Sequence, residues 1–530
     1  EVFILSLLTI FFQKNKLNSI LKVLIALFTG GVSYLISDEL NILFNDAILN
    51  NQMTVFSTHL IRVILFFATL FLLGLLSNIM SNLIHWRGSK NTVVYSVRKL
   101  LKADYDFFMK KPPSAIWTEI NMSAQQTAGF YASFVELSSY LIEFLVYGFI
   151  IIRINTYAAL FSVCIIPLSF LLTLWMQKKL SSWRMRVMDA SKSSSVIALE
   201  TITGIKDVKV KNAYSFFTQK LEQTQSKLAK TIVISSFYET YWTSITTFIS
   251  SIAPLIVIYL LMRITNIATT KPGDIIILYS FIPLFLSSFK RIYSIVLTYF
   301  SAHPFIQTSK SYCQLEEEIS GSRRVENFES LETRGCSVTH DNGQVVNIPD
   351  ITIHKGEKVL IMGESGIGKS TLFNILLGLI RNFSGAVTLN DIPIREIDIK
   401  QFREITGISF QGSGVFSLSL KENILLGEKG SLDFDHIIDI TQLKRQLQDK
   451  GEGILNVNSL SGGEKSRISL AQNLIRDPQL ILIDESLSSV DETMEATIIS
   501  KVVSEFKNST IVCISHRKRS AEYFNRVINF

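Results

Sequence analysis

Residues 358–380 read KVLIMGESGIGKSTLFNILLGLI. The apolar run at the front has the length and composition of a buried strand, and LFNILLGLI at the back has helical spacing. Between them Gly363-Glu364-Ser365-Gly366-Ile367-Gly368-Lys369-Ser370-Thr371 matches G-x(4)-G-K-[ST], a phosphate-binding loop in its confirming strand–loop–helix context. The backbone N–H groups of Gly366 to Ser370 are expected to wrap the phosphates of a nucleotide at a helix N-terminus. Lys369 is expected to reach the β and γ oxygens, and the Ser370 hydroxyl to ligate Mg²⁺.

Downstream stretches supply the rest of such a site. LILIDE (480–485) is a buried strand ending in two carboxylates; Asp484 suits the Mg²⁺ shell and Glu485 can polarise an attacking water. IVCIS (511–515) is another, with His516 at its end, where a sensor of the γ-phosphate is needed. Gln411 follows TGISF (406–410) in the same way and is expected to join Mg²⁺ and the attacking water to whatever contacts that loop. LSGGEKSR (460–467) begins a second helix behind two glycines, and a helix start of that kind also favours an anion.

The 530 residues exceed one ordinary domain. The apolar excess, 48% of the chain with 36 Phe, lies before about residue 300, so a membrane part precedes a soluble one. Six stretches can span a bilayer, near 17–37, 58–83, 132–152, 157–176, 243–264 and 273–300. EVFILSLLTIFF (1–12) is too short and reads as an interfacial helix or the remnant of something longer. Residues 84–130 hold seven Lys/Arg and 177–230 hold eleven, whereas 38–57 holds none and 153–156 and 265–272 hold one each. The positive-inside rule therefore puts both long loops and both termini in the cytoplasm. That distribution explains the formal charge of +7 better than a nucleic-acid partner does. Both long loops show helical spacing and read as stalks. The four scattered cysteines have no metal or disulfide spacing.

Pro167, Pro254 and Pro283 fall within spans four, five and six, where each removes a helical hydrogen bond. Glu136 and Glu143 are seven residues apart on one face of span three, with Tyr140 and Tyr147 on the same stripe. A carboxylate at membrane depth marks a substrate pathway or a polar tie to another helix. Glu143, Glu136 and Tyr140 are the pathway candidates, and Lys290 or Arg291 the candidate ties.

The phosphate loop, Gln411, LSGGEKSR, LILIDE, SSVD (488–491) and His516 occur in the order found in ATP-binding cassette (ABC) proteins. With six spans ahead of them, the chain resembles a half-size ABC exporter. The resemblance implies a multidomain fold: an all-α six-helix transmembrane domain with long cytoplasmic extensions (1–320), then an α/β P-loop ATPase domain of ABC type (321–530). It implies an ATPase coupled to transport, with ATP and Mg²⁺ (Ser370, Gln411, Asp484) at the site and Glu485, His516, Lys369 and Gln411 in catalysis. It also implies that two cassettes meet head to tail, so that Ser461, Gly462, Gly463 and Glu464 of one copy cap the γ-phosphate held by the other, with Asp491 at the interface. The expected assembly is a homodimer, or half of a heterodimer, in a lipid bilayer. The expected location is a bacterial inner (plasma) membrane with the cassette cytoplasmic. Coupling segments are expected near 112–122 and 194–206.

Departures from the family pattern bear on these expectations. Glu464 stands where many members have Gln, and the aromatic residue that stacks on adenine is replaced near its position by His340. The segment 423–460 is abbreviated, and relatives continue past Phe530, so the cassette reads as truncated or as naturally short. An exporter of a peptide, lipid or drug-like compound is the first reading. An uptake-type half-transporter resembling the fatty-acyl/cobalamin group is the second, and an ATP-gated channel or regulatory ATPase is the alternative of another class. A processing exporter is disfavoured, because no peptidase domain precedes the spans.

Overall fold

The computed structural model describes residues 2–48, 52–264, 271–339, 344–364, 367–410, 412, 414–450 and 453–530. Contacts divide the chain into two compact units, Glu1–Leu101 with Pro113–Leu315, and Lys102–Pro112 with Glu316–Phe530. A division at residue 320 would leave Lys102–Pro112 in the first unit. That segment packs within the second, where the Glu318 amide donates to the Lys102 carbonyl at 2.8 Å and Ala103 bridges Glu317.

The first unit is helical: α1 (Val2–Ile42), α2 (Met53–Leu100), α3 (Pro113–Ile154), α4 (Thr156–Thr203), α5 (Tyr214–Ile264) and α6 (Pro272–Cys313). Among the described residues, six helices are long and apolar enough to cross a membrane. The stretch at 1–12 is not separate. Polar residues 13–16 contain neither Pro nor Gly, so α1 runs through them unbroken. At about 1.5 Å per residue, the 48 residues of α2 make about 72 Å. That is more than twice the roughly 30 Å of bilayer hydrocarbon, as the stalk reading requires. The segments expected to couple, 112–122 and 194–206, lie mostly inside helices; the breaks fall after Leu100 and at Gly204, with short helices Asp106–Lys110 and Ile205–Val210 in the turns. Pro167, Pro254 and Pro283 lie inside α4, α5 and α6, as does Pro304 in α6.

Ile36, Tyr147, Ile151, Ala158, Val257, Leu261, Phe281 and Ile282, drawn from five of the helices, form one core. Ile84, Ala128, Tyr131 and Val135 form another, with Cys313. Residues such as Ile64, Phe67, Phe71 and Leu72 of α2 point outward, which suits a helix bathed in lipid.

The second unit holds two sheets. β1 (Ser330–Thr339), β2 (Val345–Ile348), β3 (Ile351–His354), β5 (Ser384–Leu389) and β6 (Ile392–Pro393) pair antiparallel. β4 (Lys358–Met362), β7 (Thr406–Ser409), β8 (Leu480–Asp484), β9 (Thr510–Ile514) and β10 (Arg526–Asn529) form a parallel sheet in the order β10-β4-β9-β8-β7. The strands β8 and β9 are buried at every position, as expected where helices cover both faces. Helices α7 (Lys369–Leu376), α8 (Gly462–Leu474) and α9 (Glu492–Glu505) carry the segments that matter below.

Candidate nucleotide site

Parallel sheets bind ligands beyond the carboxyl ends of their strands. Here β4, β9 and β8 are consecutive neighbours, and each leads into a predicted site segment: the phosphate loop, His516, and Asp484–Glu485. Gly368, the N-cap of α7, has φ +112°, and a Cβ there would come within 2.5 Å of Val346. Only glycine fits that turn. Lys369 begins α7, is buried, and donates from Nζ to the carbonyls of Gly363 (2.8 Å) and Glu364 (2.7 Å). Its ammonium therefore lies against the inner wall of the loop.

The Ser370 hydroxyl donates to Asp484 Oδ1 at 2.9 Å. Two oxygens on one edge of an Mg²⁺ octahedron with 2.1 Å bonds stand about 3 Å apart, so the pair fits that ion. Mg²⁺ takes few protein ligands and keeps phosphate oxygens and waters. Burial pushes the Asp484 carboxyl above its usual range, and the Ser370 hydroxyl opposes that.

Glu485 sits just past β8 with φ +45°, in the left-handed region, and its amide donates to the Ile514 carbonyl at 3.1 Å. Its Oε1 is 2.7 Å from His516 Nε2 and 3.9 Å from Lys369 Nζ. Sequence order alone could not show that one carboxylate oxygen meets both. Thr371 continues α7. His340, Ser365, Gly366 and Gln411 lie outside the described residues.

The LSGGE segment is built differently from its expected role alone. Ser461 caps α8 in a capping box: its Oγ accepts from the Glu464 amide at 3.2 Å, and Glu464 Oε2 accepts from the Ser461 amide at 2.7 Å. The signal, S-x-x-E, is present in the sequence, and it explains why Glu serves at 464. Glu464 Oε1 also accepts from Gln446 Nε2 at 3.0 Å. A Cβ at Gly462 would come 3.2 Å from Ser489, and one at Gly463 would come 3.1 Å from the Ser489 carbonyl. The glycines thus let the first turn of α8 lie on the 488–491 turn of its own chain. Asp491 caps α9, accepting from the amides of Thr493 and Met494. Ser461 and Gly462 are exposed. Arg517, next to His516, pairs with buried Glu495 of α9 and donates to the Ser488 carbonyl at 2.9 Å, tying the histidine's turn to the 488–491 turn.

Within the membrane unit, α3 presents Glu136, Tyr140 and Glu143 on one face, as expected. Glu136 pairs with Lys22 of α1 (2.8 Å) and accepts from the hydroxyls of Ser81 and of Tyr140 (2.7 Å). Glu143 pairs with Arg291 of α6 at 3.3 Å, while Lys290 donates to Thr246 of α5. The Lys22 partnership joins the single base of span one to one of the two acids of span three.

A profile described as the ABC transporter transmembrane region matches residues 17–289. The chain belongs to the ABC transporter family. The cassette profile, described as ABC transporter, matches residues 346–488, so this ABC transporter has one transmembrane region followed by one ATP-binding cassette, the order of a half-size exporter. A solved bacterial Atm1-family ABC exporter with ATP bound superposes with TM-score 0.82 at 17% identity, covering 98% of this chain and 93% of that one; at that identity the fold is what is shared. The Lactococcin transport/processing ATP-binding protein LcnC-like of Lactococcus lactis subsp. lactis (strain IL1403) is 22% identical over 89% of this chain and 66% of its own length. The ATP-dependent permease MDL1 of Candida albicans is 32% identical over 38% of this chain and 31% of its own length. The chain thus spans about a third to two thirds of these curated relatives.

Proposed function

We propose that this ABC transporter is an ATP-driven exporter of an amphipathic compound, a peptide, lipid or drug-like molecule, that works as a dimer by alternating access. The observation that carries the reading is the division of the nucleotide site. Lys369, Ser370, Asp484, Glu485 and His516 converge beyond the carboxyl ends of β4, β9 and β8. The start of α8, exposed at Ser461 and Gly462, by contrast lies against the 488–491 turn, with Glu464 accepting from Gln446, among the described residues. A pocket closed by that helix start needs a second copy, most simply an identical chain.

In this reading Lys369 neutralises the β and γ oxygens of ATP. Ser370 and Asp484 would hold Mg²⁺, which supplies charge neutralisation and orients the triphosphate. Glu485 accepts the proton of the attacking water, with His516 fixing its carboxylate and facing the γ-phosphate. Ser461, Gly462 and Gly463 of the second copy donate to the γ-phosphate, with Glu464 holding their turn and Asp491 at the same interface. The names of relatives, for lactococcin transport and, in Bacillus subtilis, multidrug resistance, support outward transport. The loop charge distribution supports a cassette on the cytoplasmic side of the membrane. Reconstitution in liposomes with ATP on the cassette side tests the reading: ATP-dependent movement of a candidate amphiphile away from the cassette side supports it. ATP turnover without movement of any candidate contradicts it in favour of gating, and movement toward the cassette favours uptake.

A further inference from the structure

The two acids of α3 are satisfied unequally. Glu136 is the better partnered: its oxygens accept from Lys22, Ser81 and Tyr140, and Lys22 is only 4% exposed. Two helical turns along, Glu143 has one contact with Arg291 at 3.3 Å and one with the Ser288 hydroxyl at 3.5 Å. A guanidinium presents five N–H donors in a planar fork. In Arg291 one terminal nitrogen meets Glu143, and Cζ lies 5.2 Å from the Tyr140 ring centroid. The Arg291 side chain is 43% exposed, against 16% for Glu143. From the open side, then, a cation is met first and its carboxylate lies behind it. Lys290, the adjacent base, is engaged by Thr246. A charge turned toward hydrocarbon is costly, so the open edge of Arg291 faces water or a polar group. Aromatic rings continue along the same helices: Phe144 lies 4.6 Å from Phe285 and 5.7 Å from Phe289, and Phe289 lies 5.6 Å from Tyr293, centroid to centroid.

We propose that Arg291, with Glu143 as its built-in counter-ion, recognises an anionic group, carboxylate or phosphate, on the transported amphiphile, whose apolar part lies along the half-buried Phe144 and Phe289 rings. Glu143 holds the guanidinium by one edge, and the ligand takes the other through paired N–H···O bonds. Glu136, paired with Lys22, and Tyr140, whose hydroxyl donates to Glu136, are structural supports for this site rather than ligands of the anion. The proposal rests on the transport reading and narrows its substrate class.

The test uses the full chain in nanodiscs and fluorescent probes that share one dodecyl tail and differ in head group: carboxylate, phosphate, trimethylammonium or uncharged. Binding is read by anisotropy and ATP-coupled movement is read in parallel in liposomes. The anionic probes bind about tenfold or more tighter than the others. Arg291→Gln brings them to the level of the uncharged probe, and Arg291→Lys keeps part of the preference. Glu143→Gln, which removes the competing carboxylate, tightens anionic binding several-fold, and it decides the matter should Arg291→Gln not fold. Competition by nanodiscs rich in anionic lipid marks a lipid head group as the natural occupant; its absence marks a free amphiphile. Equal binding of the anionic probe by parent and Arg291→Gln overturns the proposal, as does weaker anion binding in Glu143→Gln. Charge-selective, Arg291-dependent binding without ATP-coupled movement removes the transport reading and leaves the site. Movement indifferent to head-group charge and to Arg291 removes the site and leaves the transport reading.

Discussion

His516 Nε2 stands 2.7 Å from Glu485 Oε1, the same oxygen that faces Lys369 Nζ at 3.9 Å. The turn that achieves this holds Glu485 at φ +45°, a conformation a non-glycine residue adopts only when its surroundings enforce it. Strands β8 and β9 provide that enforcement, since the Glu485 amide is tied to the Ile514 carbonyl beside the histidine. A carboxylate so held can take a proton from water without first being reoriented.

Glu485→Gln keeps the shape and removes the base. ATP turnover is expected to fall by about 10²-fold or more, the usual contribution of general-base catalysis, with nucleotide binding retained. Phosphate release and equilibrium binding of labelled ATP, measured side by side, check this; parent-like turnover would contradict the role.

The 2.9 Å contact of Ser370 with Asp484 gives a second expectation. Chelation of Mg²⁺ should abolish hydrolysis. Ser370→Ala should raise the Mg²⁺ concentration for half-maximal turnover by about tenfold, roughly the loss of one ligand-scale interaction, and Ser370→Thr should restore it. A magnesium titration of the three proteins is sufficient.

At the start of α8 the capping box separates fold from recognition. Glu464→Ala removes the acceptor for the Ser461 amide and is expected to cost about 1 kcal/mol of cassette stability. Glu464→Gln keeps a side-chain acceptor and should unfold close to the parent, as thermal melts of the full chain would show.

The Lys22–Glu136 pair makes a fourth prediction. Lys22→Met alone leaves the Glu136 carboxylate without its cation among α1, α2 and α3 and should destabilise by about 1–3 kcal/mol. Lys22→Met with Glu136→Gln should recover most of that loss. Thermal unfolding in detergent distinguishes the two, and additive losses in the double variant would show that the pair is not coupled.

The phosphate loop, LILIDE and the strand before His516 were legible because each joins a period-specific apolar run to a chemically distinctive end. The six spans were legible because length and hydropathy suffice at bilayer dimensions. What could not be read locally depends on tertiary neighbours. Residues 2–42 form one helix because the polar residues 13–16 that interrupt the hydropathy are helix-compatible. The Lys22–Glu136 partnership joins residues 114 apart in sequence, and Lys102–Pro112 joins the second unit through a bridge to Glu317. The glycines at 462 and 463 suit a phosphate cap, and the same absence of a Cβ lets α8 approach Ser489.

The most direct test of the two-copy pocket is ATP turnover by purified mixed dimers in which one copy carries Lys369→Ala and the other Ser461→Asp. Aspartate still caps α8 but places a negative charge against the partner's triphosphate. If each pocket joins the phosphate loop of one copy to the helix start of the other, the mixed dimer gathers both defects in one pocket and leaves the second intact. It should then hydrolyse ATP at roughly half the parent rate while both mutant homodimers are inactive. A mixed dimer as inactive as the homodimers would contradict the account.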